Sequence, residues 1–223
     1  MKQESWRRLL PWSRTDRPAA RCLRLKGRLT VLRDKRREDA EADYRWRVDP
    51  ELAALDATTP IRLTLDEYNR YFFDELEYPS PWSVRLAIDT LDGRHIGNIM
   101  YYDIVHRKRQ AELGVMVGDR GYWDRGCGSD AVQSLLLHVF RDTELDRIYL
   151  HTLVSNERAQ TAFRKCGFDE VRPVRRDGND FTLMEVWREP WLDAIGDARA
   201  AELAVDDATP AGDAPAGDSG PAS

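Results

Sequence analysis

Cysteine is scarce in this chain: three in 223 residues, Cys22, Cys127 and Cys166, with no Cys-x-x-Cys pair. Its four histidines form no cluster with metal-ligand spacing. A disulfide framework and a zinc site are thereby excluded, no metal is expected, and a reducing compartment is implied. No apolar run approaches the roughly 20 residues that cross a bilayer, and Met1 to Pro11 lack the apolar core of a signal peptide. The cytoplasm is the expected location. A large excess of one charge is also missing. Lys and Arg number 34 against 39 Asp and Glu, a net charge of −5, which argues against a nucleic-acid partner.

The charge that exists is unevenly placed. Residues 1–25 hold seven basic and two acidic side chains, whereas residues 196–223 hold one basic and six acidic ones. From Gly196 onward the composition turns to Ala, Asp, Gly and Pro, too poor in apolar surface to offset ordering entropy. Three segments follow: a basic arm over 1–24, one domain over 25–192, and an unstructured acidic tail over 193–223. Trp6, Leu9 and Leu10 beside Arg7 and Arg8 would suit a membrane surface, but a solvated arm is the preferred reading. Whether the chain forms a homodimer is left open.

Between the tails the pattern alternates. Leu29 to Leu32 reads as a strand and residues 37–47 as a helix. Thr64 and Glu67 form a capping box that opens a helix carrying Leu65, Tyr68, Phe72 and Leu76 on one stripe. Val84, Leu86 and Ile88 alternate with polar positions as in a half-wet strand. Asp92-Gly93 then turns the chain into a return strand, from His95 to about Ile104. A strand over 111–117 precedes a helix whose buried face is Ala131, Val132, Leu135, Leu136, Val139 and Phe140. A strand from Ile148 to Leu153, a helix ending at Gly167 and a final hairpin at Asp177-Gly178 complete the domain. The expected class is α+β, a mixed and mostly antiparallel sheet with helices on both faces.

The stretch Tyr122-Trp123-Asp124-Arg125-Gly126-Cys127-Gly128-Ser129-Asp130-Ala131 links that central strand to its helix. A glycine-containing turn at a helix N-terminus leaves backbone N–H groups free, and with the helix dipole they favour a phosphate. A phosphate-bearing cofactor is therefore expected. Three stretches in order resemble the GNAT acetyltransferase superfamily, and within it the RimJ/RimL-like branch. They are Leu25 to Arg33 with Asp39 following, the turn just quoted, and Asn156, Ala159 and Lys165-Cys166-Gly167-Phe168.

This resemblance implies a GNAT-like fold, acetyl-CoA as co-substrate and a primary amine as acceptor, joined by direct transfer in a ternary complex. The acceptor classes it allows are a protein N-terminus, a polyamine, an amino sugar or a small amine. It places Met116, Val117 and Gly118 at the backbone contacts to the cofactor arm, Trp123, Asp124, Arg125, Gly126, Cys127, Gly128 and Ser129 around the diphosphate, and Asn156 on the arm. Glu112, fourteen residues before Gly126, falls where histone-type relatives carry a catalytic glutamate. Two positions depart from the family pattern. Asp124 stands where glycine is common, so its carboxylate must point away from the diphosphate. Phe163 stands where many relatives have a proton-donating tyrosine, so no general acid is assigned. Both departures and the missing acid motivate a rival reading, a catalytically weak acyl-CoA-binding or interaction module. Cys127 reads as filler, Cys166 as core, and His151 with Tyr149 as sheet packing or a groove wall.

Overall fold

A computed structural model describes residues 23–200, with side chains for 23–194. The basic arm up to residue 22 and residues 201–223 of the tail lie outside the described residues. The strands are β1 (Arg24–Lys26), β2 (Thr30–Asp34), β3 (Ser83–Thr90), β4 (His95–Val105), β5 (Gln110–Val117), β6 (Arg147–Leu153), β7 (Asp169–Arg176) and β8 (Asn179–Trp187). The helices are α1 (Ala40–Arg47), α2 (Pro50–Leu55), α3 (Leu65–Glu77), α4 (Cys127–Asp142), α5 (Glu157–Lys165) and α6 (Arg188–Ala200). The strands form one sheet in the order β1-β2-β3-β4-β5-β6-β8-β7. Only β5 and β6 run parallel; every other neighbouring pair is antiparallel. This is the expected α+β class, a mixed and mostly antiparallel sheet with helices packed on it.

Local chemistry explains most elements. Thr64 caps α3 by accepting from Glu67 N while the Glu67 carboxylate accepts from Thr64 N, the reciprocal box expected there. All six apolar residues anticipated on α4 are buried. They pack on Leu32, Leu86, Ile88, Ile99, Leu113 and Ile148 from one sheet face. Leu32, Leu86 and Ile99 belong to strands whose alternate residues, such as Arg33, Ala87 and Asn98, point to the opposite face, toward α1.

Three elements differ from the sequence reading. β1 is too short to show alternation. α2 is too short to show helical periodicity, although Pro50 at its first turn and Asp49, which accepts from Glu51 N and Leu52 N, are start signals. The third is α6, which runs from Arg188 across the boundary drawn at 193 and past Gly196 to Ala200. Trp191 anchors it: the indole is buried against Phe140 and donates to the Cys166 carbonyl at 2.8 Å. A helix held by one apolar anchor at its start need not look apolar beyond it.

Two buried polar clusters tie distant segments together. Asp130, in the first turn of α4, accepts from Arg28 N, Leu29 N and Thr30 N at 2.9–3.0 Å and from the Thr30 hydroxyl at 2.7 Å. One carboxylate thus fastens the β1–β2 turn to the helix bearing the glycine turn. On the α1 face, the Arg33 guanidinium is shared by Asp39 and Asp89, both within 3.0 Å. Asp43 accepts from Asn98 at 2.8 Å and contacts Lys35 and His95. Burial opposes charge on His95, but its contacts with Asp43 and Asp89 outweigh it and raise the imidazole above its ordinary 6.5. Burial likewise works against Asp43, which its hydrogen bonds nevertheless hold below the usual carboxylate range.

Asp130→Asn keeps the shape but turns an acceptor toward a donor among backbone N–H groups. It should cost roughly 2–4 kcal/mol, read as a lower urea midpoint at unchanged slope. For His95 the raised folded value means the charged ring stabilises the fold fully below pH 6.5, and that contribution fades as pH rises through the folded value. The melting-temperature gap between wild type and His95→Gln should therefore narrow as pH rises above 6.5; a constant or widening gap would contradict it.

Candidate active site

The parallel pair β5–β6 is where the sheet opens. Its register runs Gln110 to Arg147, Ala111 to Ile148 and Glu112 to Tyr149 and ends there, although β5 continues to Val117 and β6 to Leu153. The apex is pinned: the Arg109 carbonyl accepts from Asp146 N at 2.7 Å and Arg147 N at 3.1 Å, and Arg147 reaches the Gln110 side chain at 3.0 Å. Beyond it the strands part, and a cleft of about 650 Å³ passes through the gap. Its walls are the end of β5, the start of α4, one side of α5 and, across from them, Leu52, Leu55 and Asp56 at the end of α2.

Of the residues expected around a cofactor, Met116, Val117, Trp123, Asp124, Gly126, Cys127, Gly128, Ser129 and Asn156 line this cleft. Arg125 and Gly118 are not among its lining residues. Arg125 turns out over the Tyr122 ring. The Gly118 N–H is committed to the Ile96 carbonyl at 2.9 Å, and a Cβ there would lie 2.1 Å from the Trp46 ring, so this glycine serves close packing. The side-chain oxygen of Asn156 is likewise spent, accepting from Ala159 N as the cap of α5. That leaves its amide nitrogen for the cleft.

The glycine turn has the geometry expected of an anion cradle. Gly126 takes φ +82° at the N-cap of α4, a conformation a side chain would strain. The first α4 backbone bond in place is Asp130 N to Gly126 O, so the N–H groups of Cys127, Gly128 and Ser129 precede any helical acceptor. Asp124 also takes positive φ, +56°, and its side chain is exposed. Trp123 fixes the turn against β5, its indole donating to the Val117 carbonyl at 2.6 Å. From α5, the Arg158 guanidinium lies 3.9 Å above that indole, across the cleft. The Cys127 thiol is buried, and burial together with Asp130 pushes it above its ordinary range, the wrong direction for a nucleophile.

Glu112 is not a lining residue of the cleft. It sits at the apex on the α1 face, 8 % exposed, with register partners Tyr102 and Tyr149 pointing the same way. His151 Nδ1 lies 2.8 Å from its carboxylate, and Tyr102 stands beside it across the strand pair. The His151 ring is held edge-on between Tyr149 and Phe181, at 5.9 and 6.4 Å. Burial, then the charges of Glu112, Asp103 and Asp56, push the Tyr102 phenol well above its ordinary range, so it stays a donor. Asp56 thus belongs both to the cleft wall and to the charges acting on Tyr102.

The sequence reading missed Tyr102 and Asp56 and left His151 undecided. Cross-strand register from Glu112 would have found Tyr102 only once the strand pairing was known. Among the described residues no group of His, Cys, Asp and Glu is arranged to hold a metal ion, and no helix is long and apolar enough to cross a membrane.

Residues 28–169 match the family model described as an acetyltransferase (GNAT) domain. No curated protein sequence matches. Among solved structures, the fold resembles spermidine N-acetyltransferase from Vibrio cholerae in complex with CoA and spermine: TM-score 0.65, 18 % identity, 73 % of this chain and 97 % of that one. It also resembles the dodecameric structure of spermidine N-acetyltransferase from Vibrio cholerae in an intermediate state, with TM-score 0.60, 18 % identity, and 74 % and 97 % of the two chains covered.

Proposed function

Because the chain belongs to the GNAT acetyltransferase family, an acyltransferase family, we propose that its cleft holds acetyl-CoA and that it acetylates a primary amine by direct transfer. The observation that carries this reading is the parting of β5 from β6 beside a free-amide turn. The cleft of about 650 Å³ runs beside that turn along the end of β5. The unpaired N–H groups of Cys127, Gly128 and Ser129 fit a diphosphate, and Arg158 and Lys165 at the cleft walls supply cations for its phosphates. Bound acetyl-CoA would supply the activated acyl group.

The chain's own residues then have to manage one proton. A primary amine with a solution pKa near 10.4 is mostly ammonium at neutral pH, so it must be deprotonated before attack. We assign that step to the Glu112–His151 pair at the apex, whose carboxylate and imidazole lie 2.8 Å apart. An acyl-cysteine route is disfavoured by the raised Cys127 thiol. Spermidine acetylation by the structural neighbours supports an amine acceptor, while the first strand and the Lys165-Cys166-Gly167-Phe168 segment resemble the RimJ/RimL-like branch. Polyamine and peptide N-terminus are therefore the acceptors to try first. Phe163, packed on Phe168 in the cleft wall, cannot donate a proton to the leaving sulfur, which favours the second reading of a catalytically weak acyl-CoA-binding module.

A thiol-release assay over an amine panel separates the two readings: turnover on any amine supports the enzyme, and tight CoA binding without turnover supports the module. Glu112→Gln should lower kcat about 100-fold or more while calorimetry gives an unchanged Kd for CoA. Equal kcat in both proteins would remove Glu112 from the chemistry. Asp124→Asn keeps a residue tolerant of positive φ yet removes a charge beside the diphosphate. CoA should bind about two- to fivefold tighter, an effect that shrinks in high salt.

A further inference from the structure

We propose that Arg158 is the side chain that closes on the cofactor's diphosphate, leaving a resting place on the Trp123 ring to take phosphate oxygens. This rests on the acetyl-CoA reading above and narrows it to one cation, one phosphate group and an exchange of partners. Arg158 is exposed in the first turn of α5, and its guanidinium lies 3.9 Å from the centre of the Trp123 ring. Both residues line the cleft, one from α5 and one from the turn before α4, so the stack joins two of its walls.

Trp123 is the fixed partner of the two. Its indole N–H donates to the Val117 carbonyl at 2.6 Å. A second guanidinium, that of Arg120, lies 5.6 Å from the same ring and is itself held by Asp49 and Glu51. Arg158 is held by nothing comparable. Among the described residues no carboxylate or carbonyl accepts from its guanidinium, although the Asp124 and Glu157 carboxylates line the same cleft. Arg164, farther along α5, is by contrast paired with Glu170. An exposed cation over a ring is a weak contact, whereas a guanidinium fork on phosphate oxygens is a strong one. With its five N–H donors unspent, Arg158 gains by the exchange.

The turn needs such a partner. A helix N-terminus supplies only about half a unit of positive charge, carried here by the N–H groups of Cys127, Gly128 and Ser129. A diphosphate brings far more negative charge than that, and the Asp124 carboxylate beside the turn adds to it. A full cation is required to balance the sum. Trp123 stands four residues before Cys127, so the guanidinium resting on its ring is stationed at this turn. The other cation of the cleft wall, Lys165, is seven residues farther along α5, about 10 Å by helical rise. Arg158 is therefore the binding residue for the diphosphate, and Trp123 its positioning residue.

Calorimetry on the full chain tests this with CoA and with dephospho-CoA, which shares the diphosphate but lacks the ribose phosphate. Arg158→Gln should raise the Kd about 10- to 100-fold for both ligands and by the same factor. The salt dependence of binding should flatten as well. NMR of the wild-type protein supplies a measurement that needs no variant. Without ligand, the Arg158 side-chain protons should be shifted upfield by the indole ring, and saturating CoA should remove that shift. A Kd for Arg158→Gln within about threefold of wild type, a loss confined to CoA, or an upfield shift that persists in the complex would overturn the assignment. A wild-type chain that binds neither ligand would instead sink the acetyl-CoA reading and this inference with it, a result visible before any variant is made.

Discussion

The structure turns on a parallel strand pair that stays together at one end and separates at the other. Parallel strands normally complete each other's backbone hydrogen bonds along their length. Here the Arg109 carbonyl and the Arg147 side chain hold the apex closed, while from Leu113 onward β5 no longer has β6 as a partner. Free backbone groups inside a protein are costly unless something meets them. A cleft edged by such groups, with the free first turn of α4 at one end, is therefore a place that an extended polar ligand can complete. The Trp123 indole shows the same logic at small scale, since it already takes the Val117 carbonyl.

An open seam in a sheet needs a stiff frame, and the two buried polar clusters supply it. Asp130 joins α4 to the β1–β2 turn, so the glycine turn is referenced to the far edge of the sheet. The Arg33–Asp39–Asp89 and Asp43–His95–Asn98 contacts join the start of α1 to β2, β3 and β4. Trp46, on α1, stacks on His95 and fills the space against Gly118 at the end of β5. The frame thus runs continuously from the buried charges to the strand that edges the cleft. Buried charges of this kind contribute more to a defined geometry than to net stability, because each also carries a desolvation cost.

The Glu112–His151–Tyr102 cluster lies on the α1 face at the apex, while the diphosphate-type turn lies at the α4 N-terminus. The cleft beside the turn is lined on its other side by Leu52, Leu55 and Asp56 at the end of α2.

Much of the frame was legible in the residues themselves. The capping box at Thr64, the apolar stripe of α4, the Asp92-Gly93 and Asp177-Gly178 turns and the glycine turn at 123–129 all depend on contacts within a few positions, which sequence spacing records directly. The Asn156 oxygen caps α5 and the Gly118 N–H is spent on Ile96, roles that sequence spacing does not record, since a hydrogen-bond partner is a matter of what lies beside it. The short β1 and α2 and the Trp191-anchored α6 escaped because they persist through packing rather than periodicity. The meeting of Glu112, His151 and Tyr102 was decided by tertiary structure alone: three strands, ten to fifty residues apart, must first find their register. Local spacing determines which elements form and where a turn leaves its amides free, whereas side-chain chemistry across strands depends on pairings that close long loops, and no short-range pattern encodes them.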